Sequence, residues 1–303
     1  MSLIDHISGF VNINKPKNIT SSDVVNIFKR RYKVKKCGHL GTLDPLATGV
    51  LPIAVNKATK IISLLQESYK EYLVVGKLGI HTDTFDVTGR IVSESNVKPS
   101  KDNVIEVVEK YIGERELDVP VYSAVKINGV RAYKLAREKK LEYCGRRLTT
   151  IYDIKFIDYN YPEIKLLVKC GKGTYIRSLV KHIGEDLKTY AAVSDLMRLS
   201  FGKFLIEDAI VLDLLNDDKV FGLEEILKPI EDFIDLPKAI LKDSAVEKIR
   251  KGQSPWILDY LLIPEKDAEI CAIFNTKKQL LCIAKKDIKK SRIPYAIDKV
   301  IIN

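Results

Sequence analysis

The sequence lacks the cysteine pattern of a disulfide or zinc protein. Its five cysteines stand at 37, 144, 170, 271 and 282, an odd number with no Cys-x-x-Cys pair. A disulfide framework is therefore not expected, and a reducing compartment is. Only four histidines occur, none at ligand spacing from another, so no histidine metal site is expected either. No apolar run approaches the roughly 20 residues that cross a bilayer. The opening residues 1–6 are too polar for a signal peptide, and a cytoplasmic protein without a membrane partner is expected. Internal repeats and low-complexity tracts are missing. So is the phosphate-loop pattern G-x-x-x-x-G-K-[ST]; the isolated Gly171 and Gly173 are too little to suggest an NTPase.

What is present is an ordinary globular composition with a basic excess. The 303 residues exceed one average domain, which favours one large domain and one small one. The net charge is +10, from 50 Lys and Arg against 40 Asp and Glu. That balance suits a polyanionic partner, since cations near phosphates gain by releasing condensed counterions. Solvated surface lysines give the same count, so charge alone does not decide.

Local patterns place the elements. Gly9 to Ile13 reads as a strand. Thr20 to Asp23 offer N-caps for a helix through Val24, Val25, Ile27 and Phe28. That helix runs into Lys29-Arg30-Arg31, which either complements the helix dipole or faces RNA. Residues 72–80 alternate as a strand, with Tyr72, Val74, Gly76 and Leu78 on one face. Residues 102–112 have helical period. Ile164 to Cys170 alternate as a strand, and Gly171 to Gly173 make a turn. Thr174 is the expected cap of a helix striped by Ile176, Leu179, Val180, Ile183 and Leu187. Beyond Asp235, a short helical pattern ends near Gly252. Two apolar runs, 268–274 and 279–284, then suggest a small β-rich domain. The basic segment from Lys285 to Arg292 reads as a solvated strand edge or an RNA contact.

The segment Gly38 to Pro52 carries three glycines, two prolines and one acid, Asp44. Such a run forms an unusual loop that holds a side chain at a defined angle. Asp before Pro is also a good helix N-cap, and spacing alone does not separate the two readings.

The segment resembles the first motif of TruB-type pseudouridine synthases, G-H-x-G-x-L-D-P-x-A-T-G-x-L. It matches at Gly38, His39, Gly41, Leu43, Asp44, Pro45, Ala47, Thr48, Gly49 and Leu51. Further stretches are similar to the same family: Lys70-Glu71-Tyr72, Thr82 to Gly89, Pro120 to Lys126, and Lys172 to Leu179. Leu196-Met197-Arg198 is similar to its L-R-R stretch, with Met197 in place of one Arg. The resemblance covers about residues 8–205.

The resemblance implies an α/β (α+β) pseudouridine-synthase fold around a mixed, largely antiparallel sheet. It implies a catalytic domain over 1–235 with a thumb-like RNA-clasping insertion at about 120–150, and a small PUA-like RNA-binding domain over 236–303. It implies isomerisation of uridine to pseudouridine at position 55 in the T-arm loop of tRNA, without metal or redox cofactor. Asp44 becomes the catalytic carboxylate, acting on the sugar, on the base, or as a proton acceptor. Arg177 pairs with it, fixing its orientation. Tyr72 stacks on the uracil, Tyr175 and Leu196 line the pocket, and His39 helps hold displaced nucleotides. The target base must leave its stack, at a cost of a few kcal/mol. A monomer without an obligatory protein partner is expected. Three rivals remain: an RNA-folding protein with a dead pocket, a two-metal nuclease using Asp83 and Asp86 with Asp44, and a guide-RNA-dependent pseudouridine synthase.

Overall fold

The computed structural model describes residues 7–213, 222–264, 268–287 and 292–302. The opening residues 1–6 and the middle of the Lys285–Arg292 segment lie outside them.

The chain begins with strand β1 (Gly9–Lys15), buried along almost its whole length. Helix α1 (Ser21–Tyr32) follows, started by a reciprocal cap between Thr20 and Asp23 and stopped at left-handed Lys33. Its buried stripe is Val24, Phe28 and Tyr32, and Lys29, Arg30 and Arg31 occupy its last turn. Strands β2 (Cys37–His39) and β3 (Thr48–Val55) flank the Gly38–Pro52 motif. Helix α2 (Ile62–Leu65) leads to β4 (Lys70–Leu78), whose alternating burial matches the pattern read from Tyr72 to Leu78. The hairpin of β5 (Ile80–Thr82) and β6 (Ile91–Glu94) carries the Thr82–Gly89 turns.

Helix α3 (Lys101–Glu109) is shorter than its periodicity suggests, and leaves Ile112 in a turn before β7 (Gly113–Asp118). Between β7 and the next long strand lie a small hairpin, β8 (Lys126–Ile127) and β9 (Val130–Arg131), and helix α4 (Ala132–Arg137). Strand β10 (Arg146–Asn160) and strand β11 (Glu163–Cys170) then pair antiparallel. Helix α5 (Ile176–Asp186) buries Ile176, Leu179, Val180 and Ile183, each at about 1.5–3 kcal/mol. Its N-cap is Tyr175, without a side-chain cap bond, and not Thr174. The Thr174 hydroxyl is occupied by Thr149 and the Gly171 carbonyl, so it is unavailable to the helix. Strands β12 (Ala191–Phe201), β13 (Phe204–Leu205) and β14 (Ile210–Val211) complete the large sheet.

Its strand order is β14-β1-β3-β12-β4-β11-β10-β7, with β2 added to β3 and β13 to β12. Only the β1–β14 and β3–β12 pairs are parallel, so the sheet is mixed and largely antiparallel, as expected. The β3–β12 contact joins strands far apart in sequence and positions the site.

Past helix α6 (Leu223–Ile226), a second sheet holds β15 (Lys238–Leu241), β16 (Tyr260–Leu262), β17 (Ile270–Phe274), β18 (Leu280–Lys286) and β19 (Tyr295–Val300), with helix α7 (Val246–Arg250) beside it. The order is β16-β15-β17-β18-β19. Phe274, Leu280 and Ile301 share an apolar cluster with Phe10, Leu40, Val50 and Phe201, which fixes the small β-rich unit against the large sheet.

Candidate active site

Asp44 stands on the loop between β2 and β3, and the start of α1 pins that loop. The Ser21 hydroxyl accepts from Leu43 N at 2.8 Å and donates to Leu43 O at 2.9 Å. The Pro45 carbonyl accepts from Asn18 N at 2.8 Å and from the Lys15 ammonium at 3.3 Å. Lys15 also donates to Pro16 O and Ile19 O, both at 2.8 Å. Burial pushes its ammonium down to about 8 despite Asp44 nearby. No helix follows Asp44-Pro45; a bend leads directly into β3. The carboxylate therefore caps nothing.

It meets Arg177 instead. Arg177 Nε donates to Asp44 Oδ2 at 2.8 Å and Nη2 donates to Oδ1 at 3.1 Å, a two-pronged pair. The rest of the guanidinium is also engaged. Nη1 donates to Thr84 O at 2.6 Å and Nη2 to Tyr122 O at 3.0 Å. The Arg177 side chain is 4% exposed while that of Asp44 is 34% exposed. The cation is thus sealed and the carboxylate faces open space.

The Thr82–Gly89 stretch backs this arrangement. Asp86 Oδ1 accepts from Thr84 Oγ1 at 2.9 Å and Thr88 N at 3.0 Å, and Asp86 Oδ2 stands 3.7 Å from Arg177 Nη1. Asp83 accepts from Arg90 N at 2.9 Å. Asp44 and Asp86 thus both bind one cation, and among the described residues no three His, Cys, Asp or Glu side chains converge.

Asp44 and Arg177 line a cleft of about 300 Å³ together with Tyr72, Tyr175 and Leu196. The β4–β12 register sets Leu196 opposite Val74 and Arg198 opposite Tyr72, so these side chains share one face. Burial raises the Tyr72 phenol above its ordinary value, opposed by Arg198, and burial also raises that of Tyr175. Five of the six expected site residues therefore meet.

His39 does not join them. It lies on β2 opposite Ile53, half-buried and outside the cleft lining. Its Nδ1 is buried without a partner, and burial with the nearby Arg198 and Arg131 pushes its imidazole down to about 4.

The sequence reading missed four residues. Lys15 and Ser21 have no local signature, since their partners lie on the Asp44 loop. Lys70 lines the cleft with its ammonium 4.7 Å over the Phe201 ring, donating to Gln66 O at 2.8 Å; burial pushes it down to about 8. Arg198 is 1% exposed. The alternation starting from Leu196 was the signal for it, as it puts Arg198 on the cleft face.

The family pattern described as TruB family pseudouridylate synthase (N terminal domain) matches residues 29–176. A tRNA pseudouridine synthase B of Clostridium novyi is 45% identical over 214 residues, covering 71% of this chain and 74% of that protein. One from Thermosipho melanesiensis is 38% identical over 280 residues, covering 91% and 90%. Among solved structures, a chain of a Cbf5-Nop10-Gar1 complex is 28% identical with a TM-score of 0.75, covering 98% of this chain and 85% of that one. With relatives at this identity over most of its length, the chain belongs to the TruB family of pseudouridylate synthases.

Proposed function

We propose that this chain isomerises uridine to pseudouridine in tRNA, at position 55 of the T-arm loop, with Asp44 as its catalytic carboxylate. The observation that carries the reading is the Asp44–Arg177 fork, held open-side outward in a cleft walled by Tyr72 and Leu196. The names of the relatives, tRNA pseudouridine synthase B, support tRNA as the substrate class.

The reaction breaks the N1–C1′ bond of the uridine, turns the uracil and forms a C5–C1′ bond. A proton leaves C5 and a proton is taken up at N1, so no electrons are transferred. Among the described residues Asp44 is the only carboxylate lining the cleft, and Arg177 fixes where its oxygens lie. Tyr72 stacks on the freed uracil, and Leu196 and Tyr175 close the walls so that the base stays while it turns. Such confinement holds reacting atoms in near-attack geometry. His39, outside the cleft, acts on neighbouring displaced nucleotides.

Flipping the uridine costs a few kcal/mol, recovered by stacking and phosphate contacts. The thumb-like segment at about 120–150 supplies such contacts, with Arg147 lining the cleft and Arg131 donating to the carbonyl of Ala124, another lining residue. The unit from 236 to 303 acts as the PUA-like RNA-binding domain. The enzyme works in the cytoplasm as a monomer without a protein partner or guide. The test uses tRNA transcribed with 5-tritiated uridine and purified protein with no guide RNA. Stoichiometric tritium release, with pseudouridine mapped to position 55, is expected. No release, release only with a guide RNA, or strand cleavage would overturn the proposal.

A further inference from the structure

One buried cation in the cleft wall has no part in the scheme above. Arg198 is the largest fully buried side chain of the described residues. A buried guanidinium is costly unless its donors are used, so its partners reveal what it holds. Nε donates to Val50 O at 2.7 Å and Nη2 donates to Gly41 O at 2.9 Å. Those two carbonyls bracket the Asp44 loop, one on each side. Arg198 and Tyr72 stand directly opposite each other on β12 and β4, with side chains on the same face and both lining the cleft, and the nearby guanidinium opposes the rise that burial gives the Tyr72 phenol.

Two glycines, Gly41 on the loop and Gly49 at the start of β3, make room for Arg198. A Cβ on Gly41 would lie 3.1 Å from Arg198 Nη1 and 2.6 Å from the Phe201 ring. A Cβ on Gly49 would lie 2.2 Å from the Arg198 carbonyl oxygen, which would break the β3–β12 contact. Gly41 and Gly49 also have φ of +63° and +99°, which side chains seldom adopt. Gly41 thus clears space for the Arg198 guanidinium, while Gly49 lets β3 approach the Arg198 backbone.

We propose that Arg198 is a positioning residue for the isomerisation: its single guanidinium ties the Asp44 loop to the Tyr72 hydroxyl and so sets the gap in which the uracil turns. It acts through Asp44 and Tyr72 without being the reacting group. The inference rests on the functional reading above for its catalytic consequence, but the Arg198–Tyr72 tie itself does not.

The test compares Arg198→Lys, Tyr72→Phe and the double variant by single-turnover tritium release and tRNA binding. Lysine keeps the charge and loses the directed fork. Arg198→Lys is expected to slow turnover on the order of 30-fold, the scale of a small misplacement, with tRNA affinity within about threefold of wild type. In the Tyr72→Phe background the same substitution should slow turnover at least about threefold less, because coupled residues are not additive. Fully additive effects, or an Arg198→Lys rate within about threefold of wild type, would overturn the proposal. Should Arg198→Lys not fold, side-chain nitrogen resonances of arginine decide the matter in wild type and Tyr72→Phe. The Arg198 guanidinium signals should shift while those of Arg177 hold; unmoved Arg198 signals would refute the tie. That spectrum needs no activity, so a wild type that forms no pseudouridine would sink the functional reading alone.

Discussion

Replacing Arg177 with lysine isolates the geometry of the fork from its charge. In the native site, Arg177 makes two bonds to Asp44 and two to the carbonyls of Thr84 and Tyr122. A lysine ammonium is a point charge on a flexible stem, and it cannot reach both oxygens of Asp44 and both carbonyls at once. At least one of the carbonyls loses its partner, at about 1–3 kcal/mol. Losing both bounds the destabilisation at about 2–6 kcal/mol, which for a large domain lowers the melting temperature by roughly 2–4 °C per kcal/mol. The carboxylate, no longer gripped on two sides, drifts by a fraction of its own size, and misplacement of about 1 Å costs about 100-fold in rate. Affinity for tRNA should stay within about threefold, since the Arg177 side chain is 4% exposed and donates to Asp44, Thr84 and Tyr122. Thermal denaturation, filter binding and single-turnover tritium release measure the three quantities. A variant that melts lower yet turns over within about threefold of wild type would refute the claim that the fork positions Asp44. An affinity loss with an unchanged chemical rate would refute it equally.

Three further substitutions or titrations probe the remaining parts. Tyr72→Phe keeps the stacking ring and removes the hydroxyl of the residue opposite Arg198, so turnover should slow at least about tenfold, short of the roughly 10²–10⁴-fold of a full general acid–base group, with little loss of binding; a large affinity loss at unchanged rate would contradict this. Gly49→Ala places a methyl 2.2 Å from the Arg198 carbonyl oxygen at a φ of +99°; it should cost about 3 kcal/mol in urea denaturation, from left-handed strain and overpacking together, and a cost under about 0.5 kcal/mol would count against the close β3–β12 approach. His39, whose imidazole is pushed down to about 4, should stay neutral in the native protein while the unfolded chain takes up its proton near pH 6.5. Stability should therefore fall as pH drops from about 6.5 to about 4, by at most about 3 kcal/mol from this residue; His39→Gln should flatten that slope, and an NMR titration midpoint above about 6 would contradict the buried placement.

Much of the fold was legible because its signals are local. The Thr20–Asp23 cap, the alternation from Tyr72 to Leu78 and the stripe from Ile176 to Ile183 each need only a few neighbouring residues, and each matches an observed element. Strand β15 was not legible, as four residues after Pro237 are too few to show a period and its partner β17 comes much later. Thr174 was misread as a cap because its competing partner, Thr149, lies on another strand. The site divides in the same way. Asp44 and Arg177 could be paired only through family resemblance, since 133 residues separate them. The Lys15, Ser21 and Arg198 contacts to the Asp44 loop arise from tertiary packing and leave no mark in spacing, except the alternation that sets Arg198 beside Leu196.

The central claim is that the Asp44 carboxylate performs the chemistry while other contacts hold the RNA. The most direct measurement incubates wild type and Asp44→Asn with unmodified tRNA transcript, in excess and without additives, then maps pseudouridine by chemical adduct and primer extension. Wild type should convert position 55 completely. Asp44→Asn should convert none while binding the same transcript within roughly tenfold. Pseudouridine formed by Asp44→Asn at a rate near that of wild type would contradict the account.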